Sequence, residues 1–92
     1  MEIRPTWRPF DGPSDTTRSA LPDSAFAFPT ERDEPLIDAG HVRSAFARFG
    51  QVSGVTDSER DLAFKNIQAA ADYYGVRVHA NSWHDIVHRQ NQ

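Results

Sequence analysis

The sequence predicts a small, mostly α-helical domain in which an irregular, proline-rich N-terminal arm precedes an antiparallel helix pair and a short third helix. All six prolines fall in the first 35 positions, where proline removes backbone donors and disfavours helix. After Pro35, apolar residues recur with helical spacing, and a capping residue precedes each run. We therefore assign residues 1–35 to an extended arm and residues 36–92 to a helical domain.

The first helix is predicted to begin at Asp38, because an aspartate at this position caps free backbone N–H groups. Gly50 ends the apolar pattern and is predicted to end the helix. The apolar residues of this helix share one face, at intervals of three and four positions. They are Val42, Ala45, Phe46 and Phe49.

The second helix is predicted to follow a short loop, because Thr56 and Glu59 have the spacing of a capping box. Gly75 stands where a left-handed residue commonly ends a helix. Between these two ends, an apolar face again follows the helical period. Its members are Ala63, Phe64, Ile67, Ala70, Ala71 and Tyr74.

The third helix is predicted to start at Ser82, with Asp85 as an acidic residue in its first turn. Residues 76–78 alternate as in a short strand or an extended connector. Because short helices depend on burying their apolar faces, the three faces should meet in one core. Its predicted members are Phe46, Phe49, Phe64, Ile67, Tyr74, Trp83 and Ile86. The arm should pack partly against this core, through Trp7, Phe10, Leu21, Phe26 and Phe28.

Composition narrows the classes of function. The chain has 92 residues, no cysteine and a formal net charge of -3. The absence of cysteine excludes disulfides, thiolate metal sites and thiol catalysis. No apolar run is long enough to cross a bilayer, and the N-terminus lacks the apolar stretch of a signal peptide. We expect a cytoplasmic protein that needs no cofactor.

A long, gapped motif extends along the chain. It consists of Leu21–Ala27, Pro35–Arg43, Ala47–Phe49, Glu59–Arg60, Ala69–Ala71 and Tyr74–Val76. This motif resembles a family of small, uncharacterised bacterial and phage-associated helical modules, and the resemblance covers about residues 21–83. Similar modules occur alone in actinobacteria or joined to phage head-maturation or structural proteins. The resemblance implies a helical module but supplies neither catalytic residues nor a ligand.

The leading functional hypothesis is a non-catalytic module that binds a protein partner. The predicted contacts are Trp7, Phe10, Arg43, Arg48 and Tyr73. The proline-stiffened stretch from Trp7 to Phe10 can dock into a partner's groove or onto the chain's own helices. His41, in the first turn of the first helix, has no sequence partner that would make it a catalytic base, and Asp38 is assigned as a cap.

Two alternatives come from other residue types. A basic face formed by Arg43, Arg48, Arg60 and Lys65 would suit phosphates, although the sequence isoelectric point of about 5.7 opposes nucleic-acid binding. A metal site would use His79, His84 and His88, of which the last two have the i, i+4 spacing that can chelate a cation. The second alternative implies a metal-dependent activity.

Overall fold

A computed structural model describes residues 3–13 and 15–90, with side chains as far as Ile86. Over these residues the chain forms a two-stranded hairpin and three α-helices. The prediction of a mostly α fold is confirmed, and the arm contains a small sheet in addition. None of these helices is long and apolar enough to cross a membrane. The strands are β1 (Phe26–Phe28) and β2 (Asp33–Pro35), and the helices are α1 (Ala39–Arg48), α2 (Asp57–Tyr74) and α3 (Trp83–Gln90).

The helix ends follow the predicted caps, with one exception. The side chain of Asp38 accepts a hydrogen bond from the backbone N–H of His41 at 2.7 Å. Gly75 ends α2 in the left-handed conformation, with φ of 72°. The prediction for Gly50 is wrong, because Phe49 stays right-handed and α1 runs into a 3-10 turn at Phe49–Gln51. The left-handed glycine of this loop is Gly54 instead, with φ of 73°.

The capping box of α2 is complete. The N–H of Thr56 donates to Glu59 Oε1 at 2.9 Å, and the N–H of Glu59 donates to Thr56 Oγ1 at 3.1 Å. Thr56→Ala should therefore lower the free energy of unfolding by about 1 kcal/mol, the usual value of an N-cap side chain. Urea unfolding followed by circular dichroism measures this loss. Ser58→Ala, at an exposed position in the first turn of the same helix, is the matched control, and an equal loss there would contradict the capping role.

The start of α3 differs in detail from its prediction. Asp85 reaches back as expected for an acid in the first turn, but its carboxylate accepts from the N–H of Asn81 at 3.0 Å. The segment at residues 76–78 forms no strand in the described chain and connects α2 to α3. The indole N–H of Trp83 donates to Asp61 Oδ1 at 2.7 Å, so a hydrogen bond joins the start of α3 to α2.

The hairpin is the main element that the sequence does not predict. β1 and β2 are antiparallel, with Phe26 opposite Pro35 and Phe28 opposite Asp33. Every residue of β1 is buried, so the strand lacks the alternation of polar and apolar residues by which half-buried strands are recognised. Arg32 and Glu34 have positive φ, at 55° and 59°, a conformation that is uncommon for residues other than glycine.

The core is shared between the arm and the helices. Of its predicted members, Phe49, Phe64, Ile67 and Ile86 are buried, whereas Phe46, Tyr74 and Trp83 are partly buried against it. Phe26 and Phe28 of the arm are among the largest side chains that are fully buried. The described part of the arm therefore supplies core residues.

One buried polar side chain attaches the arm to α2. Asn66 is fully buried, and its Oδ1 accepts from the backbone N–H groups of Thr6 at 2.8 Å and Trp7 at 2.9 Å. Its Nδ2 donates to the carbonyl oxygen of Ala27 in β1 at 2.9 Å. A single amide thus satisfies backbone groups of two separate arm segments. It fixes the hairpin, and the groove beside it, relative to the helices.

Candidate binding groove

A groove runs between β2 and α1 and consists of two adjoining cavities of about 500 and 310 Å³. Glu34 and Arg48 line both cavities and mark the place where they meet. We call this surface the charged groove. Its lining side chains are mostly polar, and they include Arg18, Asp33, Glu34, Asp38, His41, Ser44, Arg48, Gln51 and Ser53.

Two pairs of side chains in the charged groove already bind each other. Arg18 Nη2 lies 2.8 Å from Asp33 Oδ1. Asp38 Oδ1 lies 2.8 Å from the Nδ1 ring nitrogen of His41 and also caps α1 through the His41 N–H. These hydrogen bonds, first the backbone one and then the ring one, hold the pKa of Asp38 below its usual range. Asp38 therefore orients His41 and caps the helix at the same time.

The other pair of charges remains apart. Within the described residues, the side chains of Glu34 and Arg48 form neither a hydrogen bond nor an ion pair, although both line the same groove. Burial raises the pKa of the Glu34 carboxyl, and the positive charge of Arg48 only partly opposes that effect. A half-buried carboxylate and a free guanidinium thus face one space without meeting. An unpaired carboxylate in this position is costly to the free protein.

Replacing Glu34 with glutamine tests this cost through its dependence on pH. A carboxyl whose pKa is raised in the folded state contributes full stability below its unfolded pKa, near 4.5, and loses that contribution as pH rises through the folded pKa. Glu34→Gln should therefore match the wild type near pH 4 and exceed it in free energy of unfolding at pH 7. Urea titrations at several pH values measure the difference. A variant that is less stable than the wild type at pH 7 would contradict the role of burial.

Two arginines hold the hairpin side of the charged groove in place. The guanidinium of Arg32 donates to the carbonyl oxygens of Leu21 at 2.8 Å and Arg18 at 3.0 Å. Arg18 in turn donates to the carbonyl oxygen of Arg32. The guanidinium of Arg32 also lies 4.7 Å from the ring centroid of Phe26. These reciprocal bonds fix the turn that leads into β2, and with it the position of Glu34.

The predicted protein contacts lie at different places. Trp7 is buried, and its indole N–H donates to the carbonyl oxygen of Leu36 at 3.0 Å, so the arm docks onto the chain itself. Phe10 is half-buried against a cluster that includes Phe26. Tyr73 is 63% exposed, with its ring edge-on to Trp7 at a centroid distance of 5.8 Å. Only Arg48 of the predicted set lines the charged groove.

The predicted basic residues are distributed over separate surroundings. Arg43 and Lys65 are exposed, and Lys65 lines another cavity beside Trp83. Arg60 is paired with Asp57 at 3.0 Å, and its guanidinium lies 5.5 Å from the Trp83 ring centroid. Arg48 lines the charged groove with three carboxylates, which oppose a polyanion. Nucleic-acid binding by these four residues stays a prediction.

The predicted histidine cluster has only two members whose side chains are described. His79 lines a cavity of about 560 Å³ next to Asp72 and Arg77, and the ring of His84 stacks on Trp83 at 3.7 Å. The side chain of His88 lies outside the described residues. Among the residues that are described, no three histidine or carboxylate side chains form a group that could hold a metal ion.

Sequence reasoning missed Glu34, Ser44 and Arg18 as groove residues. The sequence places them in three separate segments, and only the hairpin brings the first beside α1. The cap assigned to Asp38 implied its hydrogen bond from the backbone N–H of His41, but its contact with the His41 ring was not predicted. Glu34 has a positive φ although it is neither glycine nor asparagine. Its residue type therefore does not indicate this conformation in advance.

Comparison with known protein families gives a match over most of the chain. A model described as a family of unknown function (DUF6582) matches residues 9–81. The matched segment includes β1, β2, α1, α2 and every residue of the charged groove, but it begins after Trp7 and ends before α3. No curated protein and no solved structure matches the chain.

Proposed function

The chain belongs to the DUF6582 family of unknown function, and from the groove that its matched residues form we propose that it is a non-catalytic module that binds a partner protein. The observation that carries this proposal is the unpaired Glu34 and Arg48 on the charged groove. Binding sites are commonly clefts in which a few polar groups have fixed positions. Binding would supply the partners that these two side chains lack.

The surroundings of His41 support the non-catalytic part of the proposal. Asp38 engages its Nδ1 atom and caps α1 with the same oxygen. Ser44 lines the same groove, but within the described chain its hydroxyl forms no hydrogen bond with His41. A nucleophile and its base need such a bond. In this proposal the imidazole of His41 contacts the partner and forms part of the groove wall.

The origin of the partner is part of the same proposal. The resemblance to phage-associated modules supports a structural or accessory role in a phage particle or in its bacterial host. The protein would meet its partner in the cytoplasm, where the sequence predicts it to reside. The exposed ring of Tyr73 offers a second contact for a large partner, since tyrosine is enriched at protein interfaces.

Site-specific photo-crosslinking tests the proposal in a lysate of the cells that encode the chain. A photoreactive residue is placed at Ser53, on the exposed rim of the charged groove, or at Asp72, beside a different cavity. We expect a protein crosslinked from Ser53 but not from Asp72. Arg48→Gln should abolish the crosslink, and Arg77→Gln, a matched change at another exposed arginine, should leave it.

Other outcomes would overturn the proposal. Equal crosslinking from both positions would show nonspecific contact, and the absence of any crosslinked protein would remove the function. A crosslinked species that nuclease destroys, and that Arg43→Gln also weakens, would instead support the nucleic-acid alternative. Each outcome is read from the same gel after protease and nuclease treatment.

A further inference from the structure

The free charges of the charged groove define the chemistry of what it binds. Arg18 is paired with Asp33, and the ring of His41 is hydrogen-bonded to Asp38. After these pairs are set aside, two charged side chains among the described groove residues form no hydrogen bond or ion pair, the guanidinium of Arg48 and the carboxylate of Glu34. A ligand of one sign would satisfy one of them and repel the other.

The shape of the groove adds a second constraint. Glu34 and Arg48 line both cavities, of about 500 and 310 Å³, so the groove continues beyond the two residues. This space suits a ligand that continues past the two charges, such as an extended chain. The backbone on each side of Glu34 is fixed, because Asp33 pairs with Phe28 and Pro35 pairs with Phe26. Glu34 is therefore held in place to receive a ligand and is not carried on a free loop.

We propose that the charged groove binds an extended peptide segment of the partner that carries an acidic and a basic side chain close together. The acidic side chain pairs with the Arg48 guanidinium, and the basic one pairs with the Glu34 carboxylate. This inference rests on the proposed function and specifies the partner's chemistry. The pairing compensates the burial of Glu34 and gives Arg48 the planar carboxylate that a guanidinium binds best.

The charge arrangement also separates this ligand from others. A polyanion such as a nucleic acid would meet the carboxylates of Asp33, Glu34 and Asp38 in the same groove. An apolar peptide would bury Glu34 and Arg48 further without giving either one a partner, which is costly. A segment with both charges avoids both penalties, and the fixed positions of the two groove charges determine the direction in which it lies.

Selection from a random decapeptide library displayed on phage tests the inference, with the whole folded chain as target. Peptides selected on the wild type should be enriched in an acidic and a basic residue in a constant order. Selection on Arg48→Gln should lose the acidic preference, and selection on Glu34→Gln should lose the basic one. The charge exchange Glu34→Lys with Arg48→Glu should keep both preferences and reverse their order.

Affinity measurement completes the test. A selected peptide is labelled and its binding is followed by fluorescence anisotropy. Its affinity for Arg48→Gln and for Glu34→Gln should be at least about tenfold lower than for the wild type. Its affinity for Arg77→Gln should equal that for the wild type. Circular dichroism confirms that each variant is folded, as expected for side chains that form no hydrogen bond or ion pair within the described chain. Selected peptides with a single sign of charge, or with no charge, or peptides that bind Arg48→Gln undiminished, would overturn the inference.

The two proposals fail in different ways. A Ser53 crosslink that depends on Arg48, together with selected peptides that lack the paired charges, would leave the protein-binding function and remove only the inferred partner chemistry. The absence of both crosslinks and selected peptides would remove both.

Discussion

Replacing Asn66 with alanine is expected to lower the free energy of unfolding by about 3 kcal/mol, because each buried polar group left without a partner costs ~1–3 kcal/mol. The change removes the side-chain hydrogen-bond partner of the N–H groups of Thr6 and Trp7 and of the carbonyl oxygen of Ala27. Against a total of about 5–15 kcal/mol for a domain, such a loss is large. Urea unfolding followed by circular dichroism measures it, and Lys65→Ala, at the exposed neighbouring position, should change stability by less than about 0.5 kcal/mol.

An isosteric variant separates the hydrogen bonds from the packing at this position. Asn66→Asp keeps an oxygen for Thr6 and Trp7 but directs a second oxygen at the carbonyl oxygen of Ala27. A protonated carboxyl can donate to that carbonyl, so this variant should lose more stability at pH 7 than at pH 4. A loss that is equal at both pH values, or an alanine variant as stable as Lys65→Ala, would contradict the stabilising role of the Asn66 hydrogen bonds.

Replacing Trp7 with alanine is expected to cost about 3–5 kcal/mol, as for other large side chains removed from cores. The indole ring is buried, and its N–H donates to the carbonyl oxygen of Leu36 at 3.0 Å. The change also exposes the inner edges of Tyr73 and Tyr74, which meet Trp7 edge-on. Thermal unfolding followed by circular dichroism measures the loss without relying on tryptophan fluorescence.

Two further variants show whether Trp7 acts by docking the arm. Trp7→Phe keeps an aromatic ring and loses the hydrogen bond to Leu36, so a smaller loss of about 1 kcal/mol is expected from that bond. The double variant of Trp7→Ala with Asn66→Ala should lose less than the sum of the single losses, because both changes release the same arm segment. Strict additivity would indicate that the two residues stabilise the fold independently.

Local sequence predicted the helices well because the determinants of a helix end lie within a few residues of it. The pairs of Thr56 with Glu59 and of Asp38 with His41 form as expected, and Gly75 ends α2 with a positive φ. Gly50 shows the limit of this reasoning. Its position after an apolar face favours a helix end, but the chain continues into a 3-10 turn that keeps Phe49 buried.

The hairpin and the groove were harder to predict because they depend on contacts between distant residues. β1 is buried on both faces and gives no alternating pattern. Asn66 reads as an ordinary polar residue on a helix, yet it binds backbone groups about sixty positions away. The groove likewise joins Arg18, Glu34 and Arg48, which no local spacing connects.

The sequence by itself determined the helical class, the starts of the helices and the end of α2 at Gly75. These features follow from hydrogen bonds and periodicities within a few residues. The sequence also predicted that the proline-rich arm packs partly against the core. Only the tertiary structure decided that Trp7 is turned inward. It also decided that Glu34 and Arg48 face one groove without touching. These features arise because buried backbone groups must find partners wherever the fold brings them, and a chain read residue by residue does not show which distant side chain, here Asn66, will provide them.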